Sequence, residues 1–195
     1  MKAIIVAAGM GKRLQPLTDN KPKCLLQVNG ISILDRAIAA LRECGVSDIV
    51  IVRGYESSMI NKDGCRYYEN IDFANNNILE SLFCAAPEIK DDFIFSYSDI
   101  IYNAEIVQKL VDSPADISII VDKDWESRYV GRTEHPVTEA ELVSVRGMRV
   151  NHIGKDVVTP HEAHGEFRGL AKFSKWGAKI LSGIYKLRIL QNSIF

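Results

Sequence analysis

The residues best suited to chemistry lie in one glycine-rich stretch near the N-terminus. Gly9 and Gly11 carry no side chain, so the backbone N–H groups around them can face a phosphate at close range. Arg13 and Lys23 add two cations, ten residues apart on the same stretch. A charge-assisted hydrogen bond to phosphate is worth about 1.5 to 3 kcal/mol. The pattern predicts a loop that wraps a nucleoside triphosphate, and a solvated basic turn is the alternative.

Two better-known phosphate-binding motifs do not fit this stretch. The dinucleotide fingerprint G-x-G-x-x-G fails at Leu14, and Pro16 interrupts the helix that should follow. The next predicted strand ends in residues 53–55, Arg-Gly-Tyr, with no acid to hold a ribose. A Walker-type loop would need glycine in place of Val6 and a hydroxyl in place of Arg13, so that motif is excluded.

The composition is that of an ordinary folded domain. The chain has 195 residues, of which 47% are hydrophobic and 25% charged. With 24 basic and 25 acidic residues, the net charge of -1 provides no overall field for nucleic acid or an anionic membrane. We therefore expect small-molecule substrates, no nucleic-acid or membrane partner, and a phosphate site that is local.

Cysteine usage and the N-terminus indicate a cytoplasmic protein. No C-x-x-C pair occurs, so the cysteines are interpreted as buried free thiols in a reducing compartment; they are Cys24, Cys44, Cys65 and Cys84. The apolar N-terminal run is too short to span a bilayer or to form a signal peptide. The histidines lack metal-ligand spacing and are interpreted as surface residues; they are His135, His152, His161 and His164.

Strands and helices alternate through the first two thirds of the chain. Apolar runs predict strands at 3–8, 48–52, 66–68, 93–97 and 116–121. Helical spacing predicts helices at 31–44, 78–86 and 104–111. This order predicts a doubly wound, Rossmann-like mixed α/β sheet, whose ligands lie at the carboxyl ends of the strands. Gly9 and Asp99 both follow such ends.

The pattern changes after Asp122, where shorter strands are predicted at 142–145, 148–153 and 169–173, with residues 146–147 as a hairpin turn. We expect one domain over 1–195, with a part over 1–122 that carries the glycine-rich stretch and a small β-rich part over 123–195.

The segment from Gly9 to Lys23 matches G-x-G-x-R-L-x-P-L-T-x-x-x-P-K, which resembles the signature of the sugar-nucleotidyltransferase superfamily. The resemblance implies a single nucleotidyltransferase domain with a nucleotide-diphospho-sugar transferase fold, in which 1–122 is the nucleotide-binding part and 123–195 the acceptor-side part. Arg13 and Lys23 would have catalytic roles. The resemblance also implies a set of nucleotide-binding residues, namely Ala7, Ala8, Gly9, Met10, Gly11, Lys12 and Arg13.

The middle segment resembles one branch of that superfamily. Where sugar-1-phosphate enzymes carry a G-T-A type motif, this chain has Asn77 and Ser81 in an N-x-x-x-S arrangement, which is similar to phosphocholine cytidylyltransferases. Residues 165–174 resemble the nucleotidyltransferase domains that accompany phosphonate biosynthesis. The resemblance implies CTP and a small phosphorylated or phosphonate acceptor. It also implies that Asn77 and Ser81 face the nucleotide, with helix capping and packing as the alternative.

The resemblance also suggests residues for the acceptor and the metal. Lys155 occupies the place of a lysine that holds the acceptor phosphate in related enzymes, although it could equally decorate a turn. Glu166 is assigned to acceptor binding with it. Asp99 matches the family's aspartate that binds Mg²⁺, with turn capping as the alternative.

The implied reaction is attack of the acceptor oxygen on the α-phosphorus of CTP with loss of pyrophosphate, so no protein nucleophile is required. Full-length relatives carry a later E-x-D type motif that completes the Mg²⁺ site, and residues 180–195 contain no acid. We therefore expect a C-terminally shortened or altered relative with low turnover, unless another chain supplies ligands. The apolar tail residues Ile184, Leu187, Ile194 and Phe195 favour association into a homo-oligomer.

The sequence is compatible with three functions. The first is a cytidylyltransferase for phosphocholine or an alkylphosphonate. The second is a sugar-1-phosphate nucleotidyltransferase that uses another base. The third is a nucleotide-binding domain with little or no turnover.

Overall fold

The computed structural model describes residues 1–132 and 136–192. The chain forms two compact units. The first contains Met1–Ser118 and the segment from Ala171 onward, and the second contains Ile119–Leu170. This division differs from the one drawn at residue 122, because the chain returns to the first unit after the short strands. His135, Ile194 and Phe195 lie outside the described residues.

Ten strands and four α-helices make up the described chain. The strands are β1 (Lys2–Ala7), β2 (Gln27–Val28), β3 (Ile31–Ser32), β4 (Asp48–Arg53), β5 (Cys65–Glu69), β6 (Phe93–Tyr97), β7 (Ile117–Asp122), β8 (Leu142–Arg146), β9 (Arg149–Gly154) and β10 (Gly165–Phe173). The helices are α1 (Ile33–Glu43), α2 (Ile78–Cys84), α3 (Ala104–Val111) and α4 (Lys175–Asn192).

Parallel strands form the centre of the first unit. β1 lies between β4 and β6 and is parallel to both, and β5 continues the sheet beyond β4. The register sets Ala7 opposite Arg53 and Val6 opposite Tyr97, so these strands end together at one edge. In the second unit β8 pairs antiparallel with β9 and with β10. The predicted α/β class with a mixed sheet is confirmed.

The core of the first unit lies between this sheet and its helices. Its largest fully buried side chains come from β1, β4, β6, α1 and α3, and include Ile4, Ile5, Leu34, Leu41, Ile49, Ile51, Phe93 and Leu110. These β-branched and aliphatic runs have no polar alternation because both faces of the parallel strands are covered. At the start of α1, Ser32 Oγ accepts a hydrogen bond from the Asp35 N–H at 3.0 Å, the cap that the sequence predicted.

Helix α4 was not predicted from the sequence. It begins after Ser174, whose Oγ accepts from the Gly177 N–H at 3.1 Å, and it packs on α2 through stacked rings of Phe83 and Tyr185 with centroids 3.6 Å apart. Its apolar residues lie on more than one face of the helix, so the sequence shows no clear helical spacing of apolar residues. Ile184 and Leu187 are more than half exposed, as expected for the tail; association of chains through them stays a prediction.

The second unit has a small core of its own. It consists of Trp125, Tyr129, Ala140, Leu142 and Val158. The predicted hairpin turn joins β8 to β9 at Gly147, which has a left-handed φ of 63°. In the described chain no helix is long and apolar enough to cross a membrane.

The cysteines are free thiols, but only Cys24 is buried; the other three are half-buried, which corrects the expectation for them. Burial raises the pKa of Cys24 to about 12, so this side chain stays a neutral thiol at neutral pH. The described histidines are exposed, as expected; they are His152, His161 and His164.

A nearly buried carboxylate links the central strand β1 to the edge strand β5 in the first unit. Glu88 accepts hydrogen bonds from Lys2 Nζ at 2.7 Å, from the Arg66 guanidinium, and from the Tyr68 hydroxyl at 3.0 Å. Its side chain is 11% exposed. Arg66, followed by Lys2 and Tyr68, lowers the pKa of Glu88 to about 2, against the opposing effect of burial.

We expect Glu88→Gln to destabilise the fold by about 3 kcal/mol at pH 7, because the amide leaves the cations beside it without their counter-charge. The folded-state pKa of Glu88 is depressed, so its contribution is complete above pH 4.5 and is lost as the pH falls towards 2. Urea unfolding of variant and parent at pH 7 and pH 3 measures this. Glu105→Gln, at an exposed carboxylate, serves as the control. If the difference in unfolding free energy between Glu88→Gln and the parent did not shrink at pH 3, the role assigned to Glu88 would be contradicted.

Candidate active site

The predicted residues of the glycine-rich stretch and the predicted metal ligand Asp99 lie at the carboxyl ends of β1 and β6. The chain leaves β1 into a loop of residues 9–23, here called the glycine loop, and leaves β6 towards Asp99. β1 connects through α1 to β4 on one side, whereas β6 lies on its other side. This reversal of strand order is the position at which open α/β sheets bind their ligands.

The glycine loop folds back on itself. The Gly11 carbonyl accepts from the Leu14 N–H and from Thr18 Oγ1, each at 2.9 Å. Gly11 has a φ of 63°, and a Cβ there would lie 3.1 Å from Lys23 Cβ and 3.2 Å from Thr18 Cγ2. Glycine is therefore required at this position, where the two ends of the loop meet.

Lys23 and Asp99 form an ion pair. Lys23 Nζ lies 2.6 Å from Asp99 Oδ2, and the two side chains are 34% and 35% exposed. The sequence predicted both residues for the site but not their pairing. A partly exposed pair of this kind holds each charge in place while leaving it accessible, so an arriving phosphate can compete with the carboxylate for the ammonium group.

The other predicted nucleotide-binding residues in and just before the glycine loop offer a ligand mainly backbone groups or charged side chains. Ala7 and Ala8 are buried, so only their backbone can face a ligand. A Cβ at Gly9 would meet nothing within 4 Å, and its φ does not require glycine; the open space there is what a close-approaching ligand needs. Lys12 and Arg13 are exposed at the loop surface, and Met10 is half-buried.

Asn77 and Ser81 have structural roles around α2. The Asn77 side chain caps the helix by accepting from the Leu79 N–H at 2.9 Å. Ser81 is buried, and its Oγ accepts from Asn70 Nδ2 at 2.8 Å. Capping and packing were the alternative interpretation of these residues, and their contact with a nucleotide stays a prediction.

Asn70 was missed by the sequence reasoning. It is 2% exposed, donates to Asn76 Oδ1 and Ser81 Oγ, and accepts from Asn76 Nδ2 and from the Asp72 N–H. It fixes the segment of residues 70–77, here called the asparagine loop, against α2. The cluster of asparagines in the sequence was the available signal, because such side chains bond readily to nearby backbone.

The predicted acceptor residues lie in the second unit. Lys155 Nζ pairs with Glu139 Oε2 at 2.9 Å, and the two side chains are 47% and 41% exposed. Glu166 is buried, accepting from the Tyr129 hydroxyl at 2.8 Å and from Arg168 at 2.6 Å. Burial, followed by the hydrogen bond to Glu166, raises the pKa of Tyr129 to about 12. Acceptor binding by these residues stays a prediction.

Asp99 is the residue best placed to hold a metal ion. Among residues 1–132 and 136–192, no three His, Cys, Asp or Glu side chains come together as a complete metal site. Mg²⁺ is commonly held by one or two carboxylates with phosphate oxygens and water. A partly exposed Asp99 beside the glycine loop fits that donor set.

Residues 3–166 match the MobA-like NTP transferase domain. The chain belongs to this family. The resemblance seen in the glycine loop is thereby confirmed over most of the chain, including the second unit. The predicted cytidylyltransferase branch is consistent with the individual relatives.

One relative of this NTP transferase is the CTP:phosphoglutamine cytidylyltransferase of Campylobacter jejuni, 35% identical over 89% of this chain and 73% of the relative. Another is the 2-aminoethylphosphonate cytidylyltransferase of Lancefieldella rimae, 35% identical over 48% of this chain and 40% of the relative. The solved CTP:phosphocholine cytidylyltransferase of Streptococcus pneumoniae aligns with a TM-score of 0.67 at 26% identity, covering 97% of this chain and 78% of that one.

Proposed function

We propose that this NTP transferase moves CMP from CTP to a small phosphorylated or phosphonate acceptor and releases pyrophosphate. The observation that carries the proposal is the Lys23–Asp99 pair beside Gly11, at the edge where β1 and β6 end. CTP and the acceptor class are supported by the cytidylyltransferases that this chain resembles.

The residues of the chain act by positioning and by neutralising charge. The glycine loop would surround the triphosphate, and Lys23 would shift from Asp99 towards the phosphate that gains charge as the acceptor oxygen attacks. The oxygen–α-phosphorus bond forms as the bond to the pyrophosphate oxygen breaks. Cys24 adjoins Lys23, but its raised pKa and burial suit packing rather than nucleophilic attack.

We propose Mg²⁺ as the metal, with Asp99 as its protein ligand. When bound, the ion neutralises phosphate charge and orients the leaving group. Asp99 would then leave its ion pair with Lys23, whose ammonium group would be able to contact the nucleotide. The free cysteines further support a reducing compartment, and we propose the cytoplasm.

Arg13→Ala should weaken CTP binding by about 1.5 to 3 kcal/mol, because the exposed guanidinium can contact the triphosphate before and during the reaction. Titration calorimetry with CTP measures the change. Lys123→Ala, a cation outside the loop, is the control. An unchanged dissociation constant for Arg13→Ala would remove Arg13 from the nucleotide site.

Pyrophosphate release with each of the four NTPs tests the function. The acceptors are phosphocholine, 2-aminoethylphosphonate, phosphoglutamine and glucose 1-phosphate. We expect release with CTP that depends on one of the first three acceptors. Release with another NTP and glucose 1-phosphate would favour a sugar-1-phosphate nucleotidyltransferase. CTP binding without release would indicate a nucleotide-binding domain.

A further inference from the structure

Tyr55 lies between the two loops that flank the candidate nucleotide site. It follows β4, and its backbone N–H donates to the Ala8 carbonyl at 3.0 Å, just ahead of the glycine loop. Its position is set by Gly54, where a Cβ would lie 2.8 Å from both the Ala8 oxygen and Phe73 Cβ. Only glycine allows the chain to pass this closely to both neighbours.

The Tyr55 hydroxyl holds the second half of the glycine loop. It contacts the Thr18 carbonyl oxygen at 3.3 Å and donates to the Asp19 carbonyl. Thr18 in turn is 1% exposed and donates from its own hydroxyl to Gly11. Residues 12–17 between these attachments are exposed, so the shape of the loop depends on a few contacts, of which Tyr55 supplies one from outside the loop.

The Tyr55 ring contacts the asparagine loop. Its centroid lies 6.2 Å from that of Phe73, with the rings at 63° in an edge-to-face arrangement. Phe73 belongs to the segment that Asn70 fixes against α2. One side chain therefore contacts both the glycine loop, through its hydroxyl, and the asparagine loop, through its ring.

We propose that Tyr55 is a positioning residue that couples the conformations of the glycine loop and the asparagine loop. It touches the loops rather than the reacting atoms. Loosening either contact would let the glycine loop open, and nucleotide would then have to bind the smaller population of closed loops. This inference rests on the proposed nucleotide site, but the coupling between the loops can be measured without nucleotide.

Tyr55→Phe removes the hydroxyl and keeps the ring. Trypsin cleavage after Arg13, followed by mass spectrometry, reports opening of the glycine loop. We expect cleavage about fivefold faster than in the parent and CTP binding about fivefold weaker, with an unchanged thermal midpoint. Tyr68→Phe, which loses a hydroxyl contact to Glu88 instead, should leave both readouts at parent values.

Phe73→Leu tests the coupling itself, because it alters only the asparagine loop. We expect it also to accelerate cleavage after Arg13, and we expect the effects of Phe73→Leu and Tyr55→Phe to be non-additive in the double variant. Unchanged cleavage in Tyr55→Phe, or additive effects in the double variant, would overturn the proposal. Accelerated cleavage in a protein that binds no CTP would uphold the coupling and refute the proposed function.

Discussion

Lys23→Ala should lower kcat by at least about a hundredfold, equivalent to about 2.7 kcal/mol of transition-state stabilisation, while the fold is retained. Lys23 Nζ is the ammonium group held at 2.6 Å by Asp99 beside the glycine loop. Charge grows on the transferring phosphate during the reaction, so a cation at this place acts more strongly on the transition state than on bound CTP. The KM for CTP should change far less than kcat.

The matched control is Lys21→Ala, which removes an exposed cation two residues earlier in the same loop. It should keep kcat within about threefold of the parent, since a surface charge exposed to water acts weakly. Circular dichroism of both variants should match the parent. Near-normal turnover in Lys23→Ala would exclude Lys23 from the chemistry.

Asp99→Asn should abolish the Mg²⁺ dependence of the reaction and leave turnover at least about a hundredfold below the parent. The amide keeps the shape of the side chain but loses the charge that would hold the ion. The substitution also leaves Lys23 without its ion-pair partner. Calorimetric titration of CTP over a series of Mg²⁺ concentrations, together with initial rates, measures both effects.

The Lys23→Ala variant separates the two roles of Asp99. It removes the ion pair but retains the carboxylate, so its reaction should still depend on Mg²⁺, with a midpoint at or below that of the parent because Lys23 no longer competes for Asp99. Asp112→Asn, which removes an exposed carboxylate after α3, should keep the parent midpoint. If Asp99→Asn gave the parent Mg²⁺ curve, Asp99 would serve only to orient Lys23.

Most of the first unit could be predicted from sequence because its elements carry local signals. Helix α3 and strand β6 occur at the predicted residues, and α1 begins at the predicted cap, Ser32. Helix α4 was missed because apolar residues lie around much of its circumference. Its N-cap, Ser174, was visible in the sequence, but the weak period after it concealed an 18-residue helix.

The site could be predicted in outline rather than in its contacts. Gly11, Lys23 and Asp99 were singled out from motif and strand ends, and the structure brings them together. The roles of Thr18, Tyr55 and Asn70 could not be derived, because each depends on hydrogen bonds to particular residues that are not its neighbours in the sequence. One sequence alone does not indicate which backbone carbonyl a given side chain will hydrogen-bond.

The most direct test of CMP transfer follows the label from [α-³²P]CTP in the presence of Mg²⁺ and each of phosphoglutamine, phosphocholine and 2-aminoethylphosphonate. We predict that label appears in a new acceptor conjugate, with one unlabelled pyrophosphate released for each labelled conjugate formed. Label that stays in CTP, or that appears only as CMP with no dependence on any acceptor, would contradict the account.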